Sequence, residues 1–328
     1  MKIAALLPHV EVFGGVRRYL EIGNELANRG YTFVLFHPRG NKPDWLEFKG
    51  ITRPFSSLDE ECFDIAICSE YSILPYFEKL EARVKLFYFV LERHKKEKEV
   101  AKSNYVFLGN SEGICRRMER KYGIRCYRAP GGVNPILFYP AAKEREKEDF
   151  KILCYGRIYK RRKGIKLVIR AVNGLARRYP RLRFVFFDSL VGEEKRDPRP
   201  MIKTRLPHEF YLNLPQSQMA WLYSQADIFV SAERSAGWSN TVAEAMACQV
   251  PVVCTRNGTR DFAFHRQTAL VVPFPSSLLL RWQIKKLIEN EELRCRLAKA
   301  GYDKINEFYW SSLVDGLEEI FRQKVKLK

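Results

Sequence analysis

The residues best suited to chemistry lie at positions 231–255. Turn-forming residues there lead into a helical run at 241–247 that contains Glu244, and a short apolar strand follows. Free N–H groups and the dipole at a helix start attract phosphate. A carboxylate one turn further in can accept hydrogen bonds from sugar hydroxyls. The stretch therefore predicts a site for a ligand that carries both phosphate and hydroxyl groups.

A basic loop at 155–164, which reads YGRIYKRRKG, follows a predicted strand. Cations fixed at such a strand end can stabilise charge that develops on a phosphate in a site shielded from water. Taken alone, the loop could equally be a solvated basic turn.

Strands and helices that alternate along both halves must position these residues. In the first half we expect strands at 2–7, 31–36, 63–68, 84–90, 104–108 and 126–129, and helices at 16–29, 72–80 and 111–122, the last capped by Ser111. In the second half we expect strands at 151–155, 182–187, 210–215, 226–231, 250–254 and 268–272, and helices at 164–178, 216–225, 241–247, 277–300 and 303–323. This alternation predicts two α/β units in tandem, each Rossmann-like.

Composition limits the remaining possibilities. The chain has 328 residues, enough for two domains, and a net charge of +19, which favours partners such as nucleic acid, anionic lipid or phosphorylated substrates. No apolar run reaches membrane-spanning length, and the first residues read as a strand rather than a signal peptide. The eight scattered cysteines indicate reduced thiols in a cytoplasmic protein, and the five isolated histidines do not predict a zinc site.

The run GWSNTVAEAMACQVPVV at 237–253 resembles the signature of the retaining glycosyltransferases of family 4. That signature has two glutamates separated by seven residues. Glu244 matches the second, whereas the first should stand at position 236, which is Ala236, and Gln249 replaces a usual glycine. The basic loop is similar to the family's Gly-Arg…Lys-Gly element, with Arg157 and Lys163 as the matching residues.

The resemblance implies an α/β fold of the GT-B type, with two facing Rossmann-like domains and a C-terminal helix that crosses back to the first. PGGVN at 130–134 and FYP at 138–140 are similar to the family's connection between domains, and the charged run at 141–149 marks the boundary. We therefore expect an acceptor-side domain at 1–145, a nucleotide-sugar domain at 146–305 and the returning helix at 306–328.

The resemblance also implies roles for single residues. Arg157 and Lys163 would clamp the donor diphosphate, and Glu244 would hold the nucleotide ribose. The implied donor-binding residues are Gly14, Gly15, Leu212, Gly237, Trp238, Ser239, Asn240 and Thr241. The acceptor-side candidates are His9, Glu92, His94 and Glu233, of which Glu233 could compensate for the missing glutamate.

By this resemblance the protein is a hexosyl- or glycosyltransferase of the EC 2.4 type that works without metal or cofactor. It would move a sugar from a UDP or GDP sugar to a glycan or lipid-linked acceptor, with retention, in polysaccharide biosynthesis. We expect a cytoplasmic protein, peripheral on the inner face of an anionic membrane through basic residues at 95–98 and 116–121. Two alternatives stay open: a catalytically weakened binding relative, because of Ala236, and a basic nucleic-acid-binding protein, although no nucleic-acid module is recognised.

Overall fold

The computed structural model describes residues 1–91, 93–144, 149–192 and 195–326. The chain forms two compact units, one of Met1–Gly132 with Phe308–Lys328 and one of Val133–Glu307. Each is built on a parallel sheet covered by helices, so the two predicted Rossmann-like domains are confirmed.

The first unit holds a seven-stranded sheet in the order β3-β2-β1-β4-β5-β6-β7. Its strands are β1 Lys2–Leu6, β2 Thr32–His37, β3 Ile51–Pro54, β4 Phe63–Cys68, β5 Ala82–Phe89, β6 Val106–Gly109 and β7 Cys126–Arg128. Its helices are α1 Gly14–Asn28, α2 Leu74–Lys79, α3 Glu97–Val100 and α4 Glu112–Tyr122. Ser111 caps α4 as predicted, because its hydroxyl accepts from the Ile114 N–H at 3.3 Å.

The second unit holds a six-stranded sheet in the order β10-β9-β8-β11-β12-β13. Its strands are β8 Phe150–Tyr155, β9 Leu182–Asp188, β10 His208–Leu212, β11 Ile228–Ser231, β12 Val252–Thr255 and β13 Leu270–Val272. Its helices are α5 Ile165–Asn173, α6 Met219–Ser224, α7 Asn240–Ala247, α8 Ser277–Glu289 and α9 Glu291–Ile305. The central strands are continuous apolar runs because helices cover both faces of the sheet.

The last helix, α10 (Trp310–Lys326), packs on the first unit. Its apolar face, which includes Leu313 and Leu317, joins the core formed by β1 and α1. The Arg29 side chain at the end of α1 donates to Asp315 at 2.7 Å and to the Ser311 carbonyl at 3.0 Å. The predicted return of the C-terminal helix to the first unit is thus confirmed.

Three predicted helices differ most from the structure in their limits. The helix expected at 277–300 is interrupted at Asn290, whose extended backbone (φ −131°, ψ 99°) and side chain, 2.7 Å from the Leu293 N–H, start α9. The helix expected at 303–323 starts only at Trp310. The one expected at 164–178 ends at Asn173. Strand β3, a short edge strand, was not predicted.

The segment after Gly132 belongs to the second unit, whereas the sequence placed the boundary at 145/146, which lies outside the described residues. Hydrogen bonds account for the difference. The Ala141 N–H donates to Ser224 at 2.9 Å, and the Gln225 side chain donates to the Ala142 carbonyl at 3.0 Å.

The cysteines are all free thiols. In the described part of the chain, none of the helices combines the length and the apolar character needed to cross a membrane.

Candidate functional site

The candidate site lies at the carboxyl ends of β8 and β11, which are neighbours in the middle of the second sheet. The chain continues from these two strands towards opposite edges, and such a switch point is where open α/β sheets bind ligands. The Arg234 N–H donates to the Arg162 carbonyl at 2.7 Å, which ties the loop after β11 to the loop after β8. Gly164 has φ +68°, and a Cβ there would lie 2.0 Å from the Ala232 carbonyl oxygen. Only glycine therefore permits the observed approach of the two loops.

Lys163 and Glu233 meet where the two loops join. The ammonium of Lys163 forms an ion pair with Glu233 Oε1. The Glu233 carbonyl accepts from the Thr255 hydroxyl at 2.6 Å and from the Asn257 amide at 2.9 Å, so the backbone at this residue is fixed. Glu233 is only 3% exposed, and its Oε2 is buried with no hydrogen-bond partner among the described residues. The pair thus offers one fixed cation and one unused acceptor atom.

Arg157 is held by the end of β9. Its Nε and Nη2 donate to Asp188 Oδ1 at 3.0 and 2.7 Å, and Nη2 also donates to the Ser189 carbonyl at 3.0 Å. Burial alone would lower the pKa of Arg157, but its interactions with Tyr155 and Asp188 outweigh burial and hold that pKa above the usual value. The guanidinium is therefore a fixed, permanent charge. Asp188 was missed from the sequence because it reads as the polar end of a strand.

The start of α7 lies in a buried loop. The Ser239 N–H donates to the Gly258 carbonyl at 2.7 Å, and the Ser239 hydroxyl, at the N-cap position, makes no capping bond to the helix. That hydroxyl is buried and has no hydrogen-bond partner among the described residues. The predicted donor residues Gly237 and Trp238 precede it, and the predicted Asn240 and Thr241 form the first turn of α7. A helix start without a side-chain cap keeps N–H groups available to an anion.

Glu244 lies one turn inside α7, as predicted, and is 8% exposed. Its Oε2 accepts from the hydroxyl of Tyr223 at 2.8 Å. Tyr223 is itself fully buried against Phe187 and Phe229. The sequence did not indicate this tyrosine, because its position on a predicted helix fits an ordinary core residue. Glu244 is thus anchored by the core of the second unit.

Position 236 is closely packed. Ala236 is 6% exposed, and a Cβ added to Gly258 would lie 2.8 Å from its Cβ. The methyl group therefore fills space next to the Gly258 backbone, and no carboxylate stands at this position.

Leu212, the predicted contact for the nucleotide base, ends β10 beside β9. The next residue, Asn213, has φ +58°, and its N–H donates to the Asp188 carbonyl at 2.9 Å. Its side chain accepts from the Leu190 N–H at 2.7 Å. The Leu212 loop is therefore anchored on the same residue that holds Arg157.

The remaining candidates lie in the first unit. Gly14 and Gly15 begin α1, with open space beside Gly15. His9 packs against Phe13 with ring centroids 4.8 Å apart, and burial lowers its pKa. His94 stacks on Tyr71 at 3.9 Å, while Glu92 lies outside the described residues. Both histidines follow the carboxyl ends of strands, β1 and β5 respectively.

The basic face predicted in the first unit is partly neutralised. Arg117 pairs with the buried Glu97 at 2.6 Å, Lys121 lies 3.6 Å from the same carboxylate, and Arg116 pairs with Glu112 at 2.7 Å. The pairings with Glu97 could not be expected from the sequence, because Glu97 comes from a different helix, whereas Arg116 and Glu112 lie four residues apart on α4.

The sequence profile of the family described as Glycosyl transferases group 1 matches residues 137–304. A D-inositol 3-phosphate glycosyltransferase of Pseudarthrobacter chlorophenolicus is 31% identical over 196 residues, which cover 56% of this chain and 46% of that protein. The chain spans about half the length of the curated relatives it matches.

Two solved structures show the same fold over nearly the whole chain. A sucrose-phosphate synthase from Thermosynechococcus elongatus superposes with a TM-score of 0.82 at 18% identity, over 100% of both chains. HepE from Anabaena, solved with UDP-glucose, gives a TM-score of 0.74 at 14% identity, over 98% of this chain and 100% of that chain. The expected GT-B fold is thereby confirmed. The profile match extends over half of the sequence, and the chain belongs to the glycosyl transferases group 1 family.

Proposed function

We propose that the protein transfers a sugar from a nucleotide-diphosphate sugar to a glycan or lipid-linked acceptor. The observation that carries the proposal is the joining of the Arg157 and Lys163 loop to the α7 loop at the switch point of the second sheet. HepE, which has the same fold, was solved with UDP-glucose, and this supports a UDP sugar ahead of a GDP sugar as the first donor to test.

In this proposal two cations stabilise the departing nucleotide. Arg157 is already fixed by Asp188, so little reorganisation precedes the reaction. Lys163, which pairs with Glu233, would also donate a hydrogen bond to the donor phosphate. The N–H groups at the start of α7 would add to the same charge stabilisation. Two fixed cations make a metal at the diphosphate unnecessary.

Two carboxylates would recognise hydroxyl groups. Glu244 would hold the nucleotide ribose, with its orientation set by Tyr223. Glu233 would bind the donor sugar through its unused Oε2, in place of the family glutamate that is absent at Ala236. Retention of anomeric configuration, and a place in polysaccharide biosynthesis on the inner face of the membrane, belong to the same proposal.

The experiment is a transfer assay across UDP and GDP sugars, with thermal shift as the measure of binding. A donor present at about 100 times its dissociation constant should stabilise the protein by roughly 2.7 kcal/mol. We expect one donor to stabilise the protein and to be turned over. If no nucleotide sugar changes the melting temperature, the proposal is wrong.

A second candidate, a sugar-nucleotide-binding relative without useful turnover, is favoured only by Ala236. It predicts the same stabilisation by donor but no transfer and no donor hydrolysis above background. The two candidates therefore separate on turnover alone.

A further inference from the structure

A cavity of about 790 Å³ lies in the second unit between α5, α8 and residues 200–205, which precede β10. One lining residue, Ile158, directly follows Arg157. Its lining residues are Ile158, Lys166, Ile169, Arg170, Asn173, Gly174, Pro200, Met201, Lys203, Arg205 and Arg281. The volume is typical of sites that bind small molecules.

The polar lining of this cavity is almost entirely cationic. Its charged members are Lys166, Arg170, Lys203, Arg205 and Arg281, and no carboxylate of the described residues lines it. Like charges placed around one cavity repel each other, and a bound anion removes that repulsion.

Among the described residues, the carboxylates of the neighbouring elements do not pair with these charges; Glu193 and Glu194, in the connection from β9 to β10, lie outside the described residues. Helix α5 contains no acidic residue. The only one in α8, Glu289, is bound by Arg178 at 3.1 Å. In the segment 195–207 the only acidic residue, Asp197, is bound by Arg199 at 2.7 Å. Within the described ranges none of the five lining cations forms an ion pair.

Arg281 is the most buried of the five lining cations. Its guanidinium lies against Gly174, where an added Cβ would be 2.1 Å from Arg281 Cζ. Its Nε is buried and has no hydrogen-bond partner in the part of the chain that the structure describes. A buried donor of this kind is costly unless a ligand completes it.

We propose that this cavity binds a phosphate ester that carries at least two negative charges and an apolar portion. The guanidiniums of Arg281 and Arg205 suit the oxygens of phosphate, and Ile169 and Met201 offer an apolar wall. This site is separate from the donor site, since it uses none of the residues assigned to the donor. The phosphate group could belong to a soluble ester or to a lipid headgroup.

The test is calorimetric titration with inorganic pyrophosphate. The cavity variant is Lys203→Gln/Arg281→Gln. The matched control, Lys299→Gln/Lys304→Gln, also removes two charges but on α9, where both lysines pair with nearby carboxylates. Pyrophosphate can also enter the donor site, so every protein is titrated with and without Lys163→Ala. We expect a binding event that survives Lys163→Ala, weakens about tenfold or more in the cavity variant and persists in the control.

Gly174→Ala tests the geometry at constant charge. The backbone at Gly174 (φ −72°, ψ −8°) accepts alanine, but the new methyl would displace the Arg281 guanidinium. We expect weaker pyrophosphate binding with unchanged melting behaviour. Vesicles of phosphatidylcholine with phosphatidic acid then separate the sources: a lipid headgroup predicts sedimentation that the cavity variant loses, and a soluble ester predicts none.

The proposal is overturned if neither pyrophosphate nor the phosphatidic acid vesicles bind in a way that depends on Arg281 and Lys203. Equal weakening by the control variant would also overturn it, because the effect would then be one of net charge. If pyrophosphate binding depends on Arg281 and Lys203 but no part of it depends on Lys163, the result counts against the donor site and supports the cavity site.

Discussion

Arg157 and Lys163 are held in different ways, and this decides what each can do. Arg157 donates hydrogen bonds from both Nε and Nη2 to Asp188, so its position is set before a donor arrives. Lys163 is 19% exposed and bound to one carboxylate, so it can be shared with a phosphate. The family signature identified both cations from the sequence, but only the folded sheet brings Asp188 and Glu233 to them.

Replacement of either cation by alanine should lower the transfer rate by about a hundredfold or more, the scale for loss of a fixed transition-state donor. Arg161→Ala, an exposed cation of the same loop, is the control and should change the rate little. The measurement is kcat with the preferred donor. Wild-type turnover in both Arg157→Ala and Lys163→Ala would show that the clamp is assigned to the wrong residues.

Ala236→Glu should not increase transfer with the true donor. The added carboxylate would enter a closely packed position beside Gly258, where an unpaired charge is costly. The glutamine of Ala236→Gln is nearly the same size as glutamate but carries no charge. This variant therefore separates the effect of crowding from the effect of the charge. Glu233→Gln, in contrast, should raise the KM for the donor sugar. A wild-type protein inactive with every donor but revived by Ala236→Glu would reverse this view.

At the scale of elements, the sequence predicts best where apolar runs are long and buried. The central strand β4 has the predicted limits, 63–68, because both its faces are covered. Strand β3 escaped prediction because it is a short, partly exposed edge strand. The break at Asn290 was missed because the apolar pattern continues across it, while a single side chain decides where α9 begins.

Gly164→Ala should destabilise the protein and reduce transfer, because it forces the loops after β8 and β11 apart. The matched control is Gly123→Ala, which has the same φ of +68° but nothing within 4 Å of an added Cβ. The control should cost about 1–2 kcal/mol, the strain of a left-handed alanine. We expect a clearly larger loss of unfolding free energy for Gly164→Ala, measured by urea denaturation. Equal losses would mean that the approach of the two loops contributes little.

At the scale of the whole molecule, acid should destabilise the fold. Burial lowers the pKa of His9, His37 and His265, so the unfolded chain binds more protons than the folded chain just below the ordinary histidine pKa. The stability they contribute is therefore present above about pH 6.5 and is lost as the pH falls. We expect the urea midpoint to drop between pH 7.5 and 5.5, and to drop less in His37→Gln. An unchanged urea midpoint over that pH range would contradict the claim that these histidines stabilise the fold in their neutral form.

The net charge of +19 overstates the basic surface of the first unit, and this changes what a membrane experiment should show. Arg117 is tied to Glu97, whereas Lys95 and Lys98 are exposed beside a shallow basic depression of about 600 Å³. Each lysine near an anionic surface contributes about 1 kcal/mol, so Lys95→Gln/Lys98→Gln should weaken binding to phosphatidylserine vesicles by roughly thirtyfold. The control Lys299→Gln/Lys304→Gln removes the same charge from α9 and should have a smaller effect, and salt should weaken binding in every case. Equal sedimentation with neutral and anionic vesicles at low salt would show that the exposed lysines of the first unit do not form a membrane-binding face.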